Sequence, residues 1–266
     1  MEFAAKFPKT DEGWIDFPSD VGYRKSIFPE DIAHPARANL HMVEAIVEYV
    51  SQPEETVMDI MAGAGSIAIA AVMGRKVVCI EIEKIYQDTL AVVKNHLSGE
   101  VQENLTLLFG DCRDFLPFPV NHIIFSPPYA RILKTKQGAK QDSTKQLAGV
   151  SKHSEFGSWS PEYSTNPRNV GNLNKFLYNQ TMERIYKLCY DSLFSGGTMT
   201  VILKDYIHKG KRVYLSDWLT RTCIKMGFEI TGWHKRKALG TGFLKLWRSR
   251  GCATVSDEDI IIFNKE

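Results

Sequence analysis

Apolar positions along the chain fall into two alternating rhythms. Leu40, Val43, Ile46, Val47 and Val50 recur at intervals of three and four, which predicts a helix through "NLHMVEAIVEYV". A short run from Thr56 to Ile60 reads as a strand that breaks into the small-residue loop "MAGAGS". "IAIAAVMG" reads as a helix closed by Gly74, "KVVCIEIE" as a strand and "IYQDTLAVVKNHL" as the next helix. "NLTLLFGDCRDFL" supplies a third strand ending at Gly110, and "NHIIFSPPYA" a fourth. After residue 172 the pattern resumes with a helix in "NKFLYNQTMERIYKLCYDSL", a strand in "GGTMTVIL" and a helix in "LSDWLTRTCIKMGF". Strands in "FEITGWHK" and "DEDIIIFNK" follow. Residues 1–33 show no sustained period and read as an irregular lead-in; residues 131–172 show none either.

Strands alternating with helices at this pitch predict an α/β fold with a parallel sheet covered by helices on both faces. In such sheets ligands sit beyond the carboxyl ends of the strands. Asp59, Glu81, Asp111 and Ser126 fall at four successive strand ends and make a candidate site. With no internal repeat and no second core pattern, residues 1–266 are expected to form one domain, a size ordinary for an α/β unit. The stretch 131–172, rich in Lys, Gln, Ser, Gly and Asn, is then an insertion, because structureless loops of about 40 residues are functional or disordered more often than inert.

Charge sharpens that division. The whole chain carries a net +2, yet residues 131–175 hold +5 and residues 204–250 hold +9, leaving −12 for the rest. A basic surface set against an acidic body suits a polyanionic partner; a solvated charged face is the plain alternative. The insertion is expected to be a mobile, basic target-contacting loop. Lys134, Lys136, Lys140, Lys145 and Lys152 are its candidate phosphate contacts, and Trp159 and Tyr163 its candidate stacking groups. Cys79, Cys112, Cys189, Cys223 and Cys252 are scattered, odd in number and form no C-x-x-C, which argues for a reducing compartment and against a structural zinc site. The histidines show no ligand spacing, so no metal is expected. No apolar run approaches the ~18–20 residues of a membrane span, and Met1 to Thr10 lacks a signal-peptide pattern.

The strand ends carry specific chemistry. The A-G-A-G run at 62–65 lets a ligand approach the backbone closely, because glycine has no side chain in the way. It is not a triphosphate loop of the G-x-x-x-x-G-K-[ST] type, and a tight turn without a ligand would also use it. Glu81, about twenty residues on, is placed to accept hydrogen bonds from two ribose hydroxyls. Glu83 nearby reads as a solvated strand-end carboxylate. Asp111 suits an adenine amino group, or simply the cap of a helix starting near Arg113. Together these residues describe a pocket for an adenosine-containing cofactor.

The fourth strand ends in "IIFSPPYA", where two prolines stop the sheet ladder. An exocyclic amine on a nucleobase is a poor nucleophile because its lone pair is delocalised into the ring. Acceptors aimed at its two N–H bonds, here Ser126 Oγ and the Pro127 carbonyl, would free that lone pair. Pro127 and Pro128 hold them rigid, so little reorganisation is required at the transition state. Tyr129 offers an aromatic face on which an extruded base can stack. A proline-terminated strand with a surface tyrosine is the plain alternative.

With those residues in view, the sequence resembles the S-adenosylmethionine-dependent amino-methyltransferases of DNA, from about His34 to Lys265. Ser126-Pro127-Pro128-Tyr129 matches their catalytic motif. "DIMAGAGS" resembles their D-P-F-A-G-S-G-T loop, "CIEIEKIY" their ribose-binding strand, and "GDCRDFL" the strand that meets adenine. "HPARANL" is similar to the segment that closes over the methionine end of the cofactor. The resemblance implies a Rossmann-like methyltransferase fold, with a seven-stranded, mostly parallel sheet containing one antiparallel strand. It implies that Asp59, Ala62, Gly63 and Gly65 surround the methionine moiety and that His34, Pro35 and Ala36 lie near its amino-acid end. Glu81 would hold the ribose, Asp111 and Cys112 would border the adenine, and Ser126 to Tyr129 would carry catalysis. Ile60, Met61 and Ala64 depart from the family's usual Pro, Phe and Ser.

Serine at the first catalytic position resembles the cytosine-N4 branch, whereas adenine-N6 enzymes more often carry Asp or Asn there. The expected activity is transfer of a methyl group from S-adenosylmethionine to N4 of cytosine in double-stranded DNA with a flipped target base. Adenine-N6 methylation is the first alternative; an RNA or protein amine methyltransferase and a non-catalytic nucleic-acid-binding module are further ones. The setting this implies is a prokaryotic or viral enzyme in the cytoplasm, either paired with a restriction endonuclease acting on the same site or self-marking in a phage.

Overall fold

The computed structural model describes residues 2–29, 37–129, 166–208, 210–238, 249–251 and 253–266. His34, Pro35 and Ala36 lie outside them, as do Cys252, Trp159, Tyr163 and the five candidate lysines between Lys134 and Lys152.

Nine strands are formed among the described residues. They are β1 (Thr56–Asp59), β2 (Lys76–Glu81), β3 (Leu105–Phe109), β4 (Val120–Phe125), β5 (Leu193–Leu203), β6 (Tyr206–His208), β7 (Lys211–Val213), β8 (Phe228–Lys237) and β9 (Asp257–Lys265). Seven join one sheet in the order β3-β2-β1-β4-β5-β9-β8. β1 to β5 pair in parallel, and β9 runs antiparallel to both β5 and β8. This is the expected mostly parallel sheet with one antiparallel strand. From β1 the chain steps outward to β2 and β3, then returns to place β4 on the other side of β1. That reversal opens a crevice at the carboxyl ends of β1 and β4, where open α/β sheets bind ligands.

The central strands are apolar on both sides because helices cover both faces. One face packs against the helix Leu40–Val50 through Leu40, Val43, Ile46 and Val47. Asn39 starts that helix, its side chain accepting the Met42 N–H at 3.2 Å. The other face packs against the helices Lys175–Ser192 and Leu215–Lys225 through Met182, Ile185, Cys189, Leu219 and Cys223.

Four local readings change. The helix expected from Ile67 to Gly74 is a 3-10 turn, Ser66–Ala68, followed by only four helical residues, Ile69–Val72. The lead-in is not peripheral: Phe3, Ile15, Phe17 and Phe28 are buried in the core. Ile15 also exchanges backbone hydrogen bonds of 2.9 Å with Lys235 and Lys237 on edge strand β8. Single anchors separated by turns leave no period to read. The β6–β7 hairpin was not foreseen, its strands being three residues each. Finally, residues 166–172, the end of the expected insertion, dock on the body of the sheet and include a 3-10 turn, Val170–Asn172.

Candidate active site

Asp59, Glu81, Asp111 and Ser126 stand at or just beyond the carboxyl ends of β1, β2, β3 and β4, adjacent strands in one sheet. The glycine loop runs between the first two. Gly63 and Gly65 have φ of 51° and 78°, the left-handed region that favours glycine. A Cβ on Gly65 would stand 2.6 Å from Leu90 Cδ2, so a side chain there would have to displace the end of Leu90 on the helix Lys84–His96. The Ala62 N–H donates to the Ile80 carbonyl at 3.0 Å and closes the loop against β2.

Glu81 fastens this loop. One of its carboxylate oxygens accepts the Gly63 N–H and the other the Glu83 N–H, both at 2.7 Å. Each oxygen keeps a second lone pair for an outside donor such as a ribose hydroxyl. Burial raises the Glu81 pKa, against the pull of those N–H groups, and the Glu83 charge adds to the rise. Asp59 receives the Met61 N–H at 2.9 Å. Burial, helped by the charge of Glu81, pushes Asp59 up to about 7. A carboxyl half-neutral at pH 7 is suited to meeting a cation, which would restore its charge.

Asp111 caps the short helix Cys112–Phe115, accepting the Arg113 N–H at 2.9 Å. Its carboxylate is also paired to the Arg113 guanidinium and, at 2.8 Å, to Arg168 Nε. Burial works to raise its pKa, but these donors outweigh it and hold Asp111 below the usual value. Capping is therefore part of its role. Cys112 beside it is buried, and burial pushes its thiol up to about 12, so it is no nucleophile.

Glu83 corrects the sequence reading. It is 2 % exposed and accepts a hydrogen bond from the Asn169 side chain, whose own oxygen accepts the Gly171 N–H at 2.8 Å. Arg168 bridges Asp111 and Asp114. Arg168 and Asn169 thus clasp the 166–172 segment to the ends of β2 and β3. Nothing local to Glu83 signals a partner 86 residues away.

At the end of β4, Ser126 is exposed, Pro127 buried and Tyr129 36 % exposed. The Tyr129 hydroxyl is tucked into the protein, where it accepts the Lys204 backbone N–H at 3.1 Å. Burial, with the Glu258 charge adding, pushes the phenol well above its ordinary pKa. An anchored hydroxyl leaves the ring a fixed, accessible surface. Lys204 directly follows the apolar end of β5, and the strand-end rule that selected Ser126 would have selected it too.

Residues 8–92 match the DNA methylase family model, N6_N4_Mtase. That third of the chain contains Asp59, Ala62, Gly63, Gly65 and Glu81 and stops before Asp111 and Ser126. No curated protein matches the sequence. Among solved structures, a methyltransferase from Pyrococcus furiosus superposes with a TM-score of 0.53 at 14% identity, covering 92% of this chain and 94% of that one. The glycopeptide N-methyltransferase MtfA, in complex with sinefungin, superposes with a TM-score of 0.50 at 11% identity, covering 91% and 95%. At these identities the likeness concerns the fold, and that fold is the Rossmann-like methyltransferase fold. No helix among the described residues is long and apolar enough to cross a membrane, and no group of metal-ligating side chains occurs among them.

Proposed function

We propose that the chain is an S-adenosylmethionine-dependent DNA methyltransferase acting on the exocyclic N4 amine of cytosine. The observation that carries this reading is the corner at the end of β4, where an exposed Ser126, a rigid proline pair and an anchored, accessible Tyr129 adjoin three acid-bearing strand ends.

The residues present suit the cofactor. The Gly63–Gly65 backbone admits close approach, Glu81 retains free lone pairs for the ribose, and Asp59 is suited to the cationic methionine end. Asp111 and Cys112 would border the adenine, with Arg168 yielding or sharing Asp111. His34, Pro35 and Ala36 are assigned to the cofactor's amino-acid end on the sequence resemblance alone. When bound, S-adenosylmethionine supplies a methyl group activated by its sulfonium charge.

The protein's own part is placement. Ser126 Oγ and the Pro127 carbonyl accept the two N–H bonds of the target amine and turn its lone pair out of the ring. Tyr129 stacks on the extruded base. Serine, a neutral acceptor, suits cytosine, and the family model's span of both N6 and N4 enzymes makes adenine the competing base. The polymer partner is double-stranded DNA, which the likeness to the DNA methylase family implies and which the segregated positive charge suits.

The test is nucleoside mass spectrometry of plasmid DNA incubated with the protein and S-adenosylmethionine. N4-methylcytosine is expected. N6-methyladenine would move the assignment to the other base with the same machinery. C5-methylcytosine, or no methylated base, would overturn the proposal, since the C5 route requires a cysteine nucleophile after a proline and no cysteine in the sequence follows one.

A further inference from the structure

Lys204 lies on the far side of the corner from the cofactor-facing acids. β5 neighbours β4 on the side opposite β1, β2 and β3, and Lys204 follows its last residue. Its backbone N–H holds the Tyr129 hydroxyl at 3.1 Å. The side chain is half-buried in a ring of charges, where burial lowers its pKa, the Glu258 charge opposes this and Arg236 adds to it.

The acids of that ring are already matched. Glu258 is paired with Arg236. Asp257 takes two hydrogen bonds from Arg212, at 2.9 and 2.6 Å, and one from Lys235 at 2.6 Å. Asp205 accepts Arg212 Nε at 2.8 Å and the Leu215 N–H at 2.9 Å. Among the described residues the Lys204 ammonium forms no ion pair. Taking a cation partly out of water without an ion pair of its own is unfavourable. A site that tolerates this is built to receive the anion with its substrate. The shelf beside it is held by the Asp205–Arg212–Asp257 network, so the ammonium stands on rigid ground.

We propose that Lys204 is a phosphate contact of the substrate: it pairs with a phosphodiester flanking the extruded nucleotide and so sets the depth at which the base meets Tyr129. The inference rests on the DNA reading above and adds to it the residue that grips the target strand. Arg212, Arg236 and Lys235, though also basic, are spent on Asp257, Glu258, Asp205 and Asp259.

Two experiments test it. In the first, Lys204→Met and Lys204→Arg are compared with wild type for duplex affinity across salt concentrations, for KM and kcat on DNA, and for S-adenosylmethionine affinity. Lys204→Met should weaken DNA binding about tenfold to a hundredfold, the range for a hydrogen bond to a charged group. It should lower the slope of log affinity against log salt by about 0.9, one phosphate's worth. Cofactor affinity should stay unchanged, and Lys204→Arg should recover most of the loss. An unchanged salt slope and DNA KM in Lys204→Met would overturn the proposal. In the second, wild-type protein is given duplexes in which one phosphate flanking the target base is a neutral methylphosphonate. One position should reproduce the Lys204→Met loss, and the same duplex should cost the variant nothing more. Equal affinity for every such duplex would overturn the proposal even if the variant failed to fold. Failure of wild type to bind or methylate DNA at all would instead overturn the reading beneath it.

Discussion

Glu81, at the end of β2, accepts the Gly63 backbone N–H at 2.7 Å, so the acid assigned to the ribose also shapes the loop assigned to the methionine end. Its other oxygen takes the Glu83 N–H at the same distance. Glu81→Gln keeps the shape but leaves only one acceptor oxygen, so one of the two N–H groups loses its partner. An unsatisfied buried donor costs about 1–3 kcal/mol. Glu81→Gln should therefore lower both thermal stability and cofactor affinity, the latter by about tenfold or more. Calorimetric titration with S-adenosylmethionine and a thermal melt would read the two together.

Asp59 makes stability depend on pH in an unusual direction for a carboxylate. Its folded pKa, about 7, lies above the ordinary value of 3.8, so the folded state binds more protons between those values. The contribution is fully present below the unfolded pKa and is lost as pH rises through 7. Asp59→Asn, which cannot ionise and still accepts the Met61 N–H, should melt higher than wild type at pH 8, by roughly 1–4 kcal/mol, and nearly equal to it at pH 4. The same variant should bind S-adenosylmethionine more weakly. In wild type, a bound cation should draw the proton off, so calorimetric enthalpies near pH 6 should vary with the buffer's ionisation enthalpy.

Tyr129 divides its work between ring and hydroxyl. Tyr129→Ala removes the proposed stacking face, worth about 1–3 kcal/mol per base, and turnover should fall roughly tenfold to a hundredfold with cofactor affinity intact. Tyr129→Phe keeps the face but orphans the Lys204 N–H, so it should retain most of its turnover and lose some stability. Steady-state rates on a duplex substrate, beside cofactor titrations, separate the two effects. A Tyr129→Ala enzyme with wild-type turnover would rule out the stacking role.

Asn169 and Arg168 should differ in importance although they are neighbours. Asn169→Ala deprives Glu83, 2 % exposed, of a hydrogen-bond donor and should destabilise the protein by about 1–3 kcal/mol. Arg168→Ala removes a half-exposed side chain while Arg113 still pairs with Asp111, so its cost should be much the smaller of the two. Thermal melts compare the two. Hydrogen exchange over residues 166–172 should show that segment released in Asn169→Ala.

How far the site was legible follows from how local its signals are. Asp59, Glu81, Asp111 and Ser126 could be placed at strand ends because an apolar run, and the residue that breaks it, are properties of a few consecutive positions. The alternation of those runs with helical spacing was enough for a parallel sheet with helices on both faces. The β6–β7 hairpin escaped because three-residue strands have no period. The lead-in escaped because Phe3, Ile15, Phe17 and Phe28 are buried singly, between turns.

What the carboxylates touch was decided only by the tertiary structure. Glu83 and Glu81 are two residues apart, and the sequence reading assigned a partner only to Glu81 and left Glu83 to solvent. One fastens the glycine loop and the other receives Asn169, 86 residues away. Asp111 could be read as an adenine acceptor or a helix cap, and packing set it as a cap that Arg168 also reaches. Lys204 is one lysine among many in a basic segment until its neighbours' acids are found paired to Arg236, Arg212 and Lys235. Short-range spacing selects which residues end a strand. Burial and charge pairing depend on long-range approach, which the sheet order alone sets: it places β4 beside both β1 and β5 and thereby brings Tyr129 onto Lys204.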